Sequence, residues 1–100
     1  MQGDFFETSY KFHEYTIPIK DCFSLDLPAG AKIVTAQMVA KRKKLLLFVL
    51  ENTKSRSLKI REFLIFQAGT PIQVPIDRLK YITAFLNPFT NSFCLLFESV

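Results

Sequence analysis

Tyr15-Thr16-Ile17-Pro18-Ile19-Lys20-Asp21-Cys22-Phe23-Ser24-Leu25-Asp26-Leu27-Pro28-Ala29-Gly30 is the stretch that decides the fold. Its apolar side chains fall on Tyr15, Ile17 and Ile19, then on Phe23, Leu25 and Leu27. Thr16, Pro18, Lys20, Cys22, Ser24 and Asp26 stand between them. Alternation with period two belongs to strands that bury one face and wet the other. Asp21 interrupts it and marks a bend between two short strands. Pro18 has no amide hydrogen for a ladder, which places the first strand at an edge or a bulge. Leu27-Pro28-Ala29-Gly30 then turns the chain, Pro presetting φ and Gly allowing it to be positive.

Downstream the same pattern continues. Val34, Ala36, Met38 and Ala40 alternate with Ile33, Thr35, Gln37 and Val39. Lys41-Arg42-Lys43-Lys44 follows, then the unbroken apolar run Leu45 to Leu50. A short continuous run suits a central strand covered on both faces, and its flanking lysines suit gatekeepers against aggregation. Glu51 to Ser57 reads as a polar loop joining this strand in a hairpin to the next, Leu58 to Phe66. A phase change near Arg61-Glu62 predicts a bulge there. Ala68-Gly69-Thr70-Pro71 turns the chain, and Ile72, Val74 and Ile76 are too proline-bounded for a central strand. Asp77 to Lys80 reads as a single helical turn, Tyr81 to Leu86 as a strand, Asn87 to Asn91 as a turn, and Phe93 to Phe97 as a closing strand. About seven short strands with turns every ten or so residues predict an all-β chain, a small antiparallel sandwich or barrel. One domain over residues 1–100 is expected, with 1–9 as a flexible N-terminal extension.

Charge is unevenly distributed. Residues 1–30 sum to −3, residues 31–61 to +8 and residues 62–100 to −1. The middle segment holds Lys32 and eight further cations, Lys41, Arg42, Lys43, Lys44, Lys54, Arg56, Lys59 and Arg61, against Glu51 alone. Those eight are the candidate partner-binding residues, read as lying at both ends of one hairpin. Basic runs of this kind meet nucleic acid or acidic protein surfaces, and they also serve solubility. The acidic start Met1-Gln2-Gly3-Asp4 lacks the basic opening of a signal peptide. The longest apolar run is far below the roughly 20 residues of a membrane span. A cytoplasmic protein is expected, with no membrane partner and with Cys22 and Cys94 as free thiols.

Catalytic inventory is poor. His13 is the only histidine, and its strand neighbour Glu14 points to the opposite face. Paired carboxylates are not apparent from spacing, no C-x-x-C pair exists, and Gly3, Gly30 and Gly69 are isolated. These features argue against an enzyme, a metal site and a nucleotide or other cofactor.

His13-Glu14-Tyr15-Thr16-Ile17-Pro18-Ile19, Leu25-Asp26-Leu27-Pro28-Ala29-Gly30-Ala31-Lys32-Ile33-Val34, Gln37, Gly69-Thr70-Pro71-Ile72 and Tyr81-Ile82 together carry a resemblance over roughly residues 13–86. The chain resembles a family of short, uncharacterised domains of bacteriophages and their bacterial hosts. In that family a Y-x-I-P-I strand leads into L-P-x-G-A-x-I and a late Y-I-G-T segment. This chain departs at Tyr81-Ile82-Thr83-Ala84, which lacks the glycine. The resemblance brings no catalytic residues and implies a phage or mobile-element origin. The leading expectation is a non-enzymatic protein that docks on a host macromolecular complex, nucleic-acid-processing or defence, and modulates it. A nucleic-acid-binding module using the 41–61 hairpin is the first alternative. A self-associating virion component is the second.

Overall fold

The computed structural model describes residues 9–100. Apart from Ser9, the expected N-terminal extension lies outside the described residues. Ser9 itself is tied down: its carbonyl accepts the Thr53 amide at 3.1 Å and its hydroxyl meets Thr53 Oγ1 at 2.7 Å.

The chain is all-β. Among the described residues seven strands form two antiparallel sheets: β1 Tyr10–Ile17, β2 Cys22–Pro28, β3 Lys32–Val39, β4 Lys44–Asn52, β5 Leu58–Gln67, β6 Leu79–Leu86 and β7 Phe93–Ser99. One sheet has the order β1-β4-β3 and the other β2-β5-β7-β6. Two single turns of 3-10 helix, Ala40–Arg42 and Ile76–Arg78, complete the regular structure of the described residues. The second overlaps the expected Asp77–Lys80 turn but starts one residue and ends two residues earlier, because Leu79 and Lys80 already belong to β6.

The alternation around Pro18 does what a half-buried strand requires. Ile17 and Leu27 are buried, Tyr15, Ile19, Phe23 and Leu25 pack against the core, and the residues between them are exposed. Pro18 falls just past the end of β1, an edge strand, so no ladder bond is missed. The core fills the gap between the sheets with Ile17, Leu27, Leu45, Leu47, Val49, Phe63, Ile65, Phe85 and Leu96. Each large apolar side chain there contributes about 1.5–3 kcal/mol through removal from water. Phe23 stacks on Phe63 with centroids 5.1 Å apart, linking the edge strand β2 to the buried centre of β5.

Turns act where glycine is needed. Ala31 donates to the Pro28 carbonyl at 3.0 Å and Thr70 to the Gln67 carbonyl at 3.0 Å. In each turn the third residue, Gly30 or Gly69, takes a positive φ that a Cβ would oppose.

Three expectations are corrected. β4 pairs with β1 and β3, and β5 pairs with β2 and β7, so no 45–66 hairpin exists. The 52–58 loop instead carries the chain from one sheet to the other. β5 shows no bulge at Arg61-Glu62; the register shifts fall at Val34 in β3 and Ile82 in β6. Val34 is thereby turned outward while Ala36 and Met38 stay in. Leu58 and Ile60 lie on the outer face of β5, and these exposed apolar residues imitate a change of phase. Finally, β4 is central but not doubly covered. Leu45, Leu47 and Val49 are buried, whereas Leu46, Phe48 and Leu50 are half-buried beneath neighbours such as Phe12.

Candidate docking surface

Antiparallel pairing sorts the loops to two ends, except the β5–β6 connection, which runs from one end to the other. One end, the tip, gathers residues 18–21, the β3–β4 turn, residues 67–69 and the β6–β7 turn. The opposite end, the base, gathers residues 28–31, the 52–58 loop, the 76–78 turn and Val100. Eight residue steps along β4 separate them, about 27 Å at the usual strand rise.

The eight candidate cations therefore divide. Lys41, Arg42, Lys43 and Lys44 sit at the tip; Lys54, Arg56, Lys59 and Arg61 lie toward the base. Arg61 also differs in chemistry. It occupies the inward phase of Phe63 and Ile65, and its Nε and Nη2 donate to the two carboxylate oxygens of Glu98, the latter at 2.9 Å. Its Nη1 donates to the Ala31 carbonyl at 2.7 Å. Their side chains are 22% and 6% exposed. The fork is spent on holding β5, β7 and the β2–β3 turn together, and the hydrogen bonds to Glu98 push the guanidinium pKa higher still.

A second polar cluster at the base was not anticipated. Glu51 follows the inward phase of Leu45, Leu47 and Val49 and is buried. The Tyr15 hydroxyl donates to Glu51 Oε2, and His13 Nε2 approaches Oε1 at 3.6 Å. Lys11 stands opposite Glu51 in the register. Burial and the adjacent carboxylate push the Tyr15 hydroxyl up to about 12, so it is a donor at neutral pH and not a base or nucleophile. The inward phase of β4 was the signal that could have located Glu51.

At the tip the cations make no ion pair among the described residues. The ion pairs among the described residues are His13–Glu51 and Arg61–Glu98, and neither reaches Lys41 to Lys44. The turn is nonetheless ordered. Lys43 donates its amide to the Ala40 carbonyl at 3.2 Å and adopts φ 54°, ψ 40°, a left-handed conformation uncommon for a residue with a Cβ. From there its ammonium lies 5.6 Å from the centre of the Phe89 ring. Phe89 is held by Asn87, whose Oδ1 accepts the Phe89 amide at 2.9 Å and whose carbonyl accepts that of Asn91 at 2.8 Å. Both Phe89 and Phe93 are 66% exposed, beside Leu86. The tip thus joins unpaired positive charge to exposed aromatic surface on two hydrogen-bonded turns.

The two cysteines face apart. Cys22 points outward and is exposed; Cys94 points inward and is buried, with its thiol pushed up by burial. β5 lies between their strands, an offset of about 9.5 Å that exceeds the roughly 7 Å reach of a disulfide. No helix among the described residues is long and apolar enough to cross a membrane.

A model of the family described as a domain of unknown function, DUF7352, matches residues 9–100. No curated protein and no solved structure matches the chain.

Proposed function

The chain belongs to the DUF7352 family, and we propose that it is a non-enzymatic binding protein that docks through the tip of its sandwich. The observation that carries this reading is the placing of Lys41, Arg42, Lys43 and Lys44, which make no ion pair among the described residues, beside the exposed rings of Phe89 and Phe93. Four consecutive like charges repel one another and add nothing to the fold. Exposed phenylalanines gain from being covered. A partner that is acidic and partly apolar satisfies both. A host macromolecular complex in the cytoplasm, met by a phage-borne accessory, is the partner that the sequence resemblance favours.

Affinity purification from host cells with tagged wild type, R42E/K44E and K54E/R56E tests it. A partner kept by wild type and by K54E/R56E, and lost by R42E/K44E, is the expected result. Equal recovery by all three would dismiss the tip.

Nucleic acid is the second reading, favoured by the Lys43–Phe89 stack, since single strands combine phosphate contacts with base stacking. It requires an affinity for DNA or RNA that falls steeply with salt.

A further inference from the structure

β5 and β6 run parallel on either side of β7, so the chain between them must cross β7 outside the sheet. The crossover leaves β5 at the Gly69 turn, and Pro71 and Pro75 stiffen it. Ile72 and Val74 become half-buried along it. Between crossover and sheet lies an open cleft of about 460 Å³. Phe66, Leu95 and Ala84 from three strands line it, with Thr70 and Ile72 on the crossover and Phe93 from the tip. None of its lining residues is charged.

Phe93 connects this cleft to the basic tip. It pairs with Leu86 in the register, and the turn bearing Phe89 springs from those two strand ends. Moving from Lys43 through Phe89 to Phe93, a partner meets cations first, then exposed rings, then an uncharged slot.

We infer that the cleft is an anchor site for one large apolar side chain of an extended acidic protein segment, whose carboxylates lie on Lys41 to Lys44. This rests on the docking reading above and names its partner class. Charge complementarity selects the occupant. A nucleic-acid strand carries a phosphate at every nucleotide, so a strand lying along the cleft would set charges against apolar walls with no cation opposite. A peptide separates its charges from its anchor. The volume falls in the range of pockets that hold small ligands, roughly 300–1,000 Å³, enough for an aromatic or leucyl side chain.

The test is selection of a random 12-residue displayed peptide library against the full chain. A dT12 oligonucleotide and vesicles of phosphatidylcholine and phosphatidylserine serve as rival probes. Selected peptides should carry several acidic residues around one large apolar residue. Ala84→Phe fills the cleft from an exposed position on β6 and should weaken them at least tenfold without changing the salt dependence. Ile72→Ala, which opens the wall instead, should weaken them as well. R42E/K44E should weaken them tenfold and flatten the salt dependence. If R42E/K44E abolishes binding while both cleft variants bind normally, the anchor is wrong and the docking end stands. If neither class of variant matters, both readings fall. No acidic enrichment, or tighter binding of dT12 or vesicles than of any peptide, overturns the partner class.

Discussion

The two ends of this sandwich are both rich in lysine and arginine, yet only the base locks one of them, Arg61, into a buried ion pair, and only the tip sets one, Lys43, against an exposed aromatic ring. At the base, Arg61 is locked to Glu98 and the Ala31 carbonyl, and Glu51 collects Tyr15 and His13. At the tip, Lys41 to Lys44 make no ion pair among the described residues, and Lys43 rests on an aromatic ring. The buried charge at the base, Arg61 with Glu98 and Glu51 with its partners, closes the gap between sheets where loops enter, while Lys54, Arg56 and Lys59 are exposed and, among the described residues, make no ion pair either. Charge at the tip, on the docking reading proposed above, is left for a partner. A basic segment is therefore not one feature because it is contiguous in sequence; its parts acquire different roles from where the ladders carry them.

The largest expected effect tests the structural half of that contrast. Arg61→Met leaves Glu98 buried without its partner, and removing one member of a buried pair is strongly destabilising, by about 3 kcal/mol given the partial exposure of Arg61. Urea unfolding of R61M should show that loss, and R61M/E98Q should recover a large part of it. A loss below 0.5 kcal/mol, the usual ceiling for surface sites, would place Arg61 with the free cations after all.

Tyr15→Phe comes next. It removes a hydrogen bond to a carboxylate, worth about 2 kcal/mol, and it gives a pH signature. Tyr15 ionises at about 12 in the folded chain against 10.0 ordinarily. Between those values the folded chain holds a proton that the unfolded chain has lost, so this contribution is complete below pH 10 and fades as pH rises toward 12. The stability gap between wild type and Y15F should narrow over that interval. A gap that stays constant would contradict it.

Smaller effects belong to the tip. R42E/K44E should shift stability by no more than about 0.5 kcal/mol, although it should weaken binding about tenfold. Lys43→Gly relieves the left-handed backbone and should be neutral or stabilising by up to about 1 kcal/mol, while weakening partner binding through loss of the ammonium over Phe89. A destabilised K43G would mean that the tip lysine serves the fold.

Strand positions were readable because period-two alternation is local. Ile17, Leu27 and Phe63 are buried for the reason their neighbours are not. Pairing was harder: nothing near β4 states that its partners are β1 and β3, because a ladder is chosen by residues tens of positions away. Grouping the eight cations on one hairpin follows from that missing information, and the observed pairing divides them. Arg61 was misjudged for a related reason, since its carboxylate lies 37 residues further on. The phase of each strand still held the information. Glu51, Arg61 and Glu98 each continue an inward apolar series, and an ionisable residue in such a position needs a partner. The Lys43–Phe89 contact joins two sheets and left no local trace.

The most direct test of the central contrast is an NMR titration of the uniformly ¹⁵N-labelled chain with a deca-glutamate peptide. The account predicts salt-sensitive amide shifts concentrated at residues 41–44 and 87–93, with Lys54, Arg56, Lys59 and Arg61 little changed. Shifts centred on the 54–61 segment, or spread evenly over both ends, would contradict it.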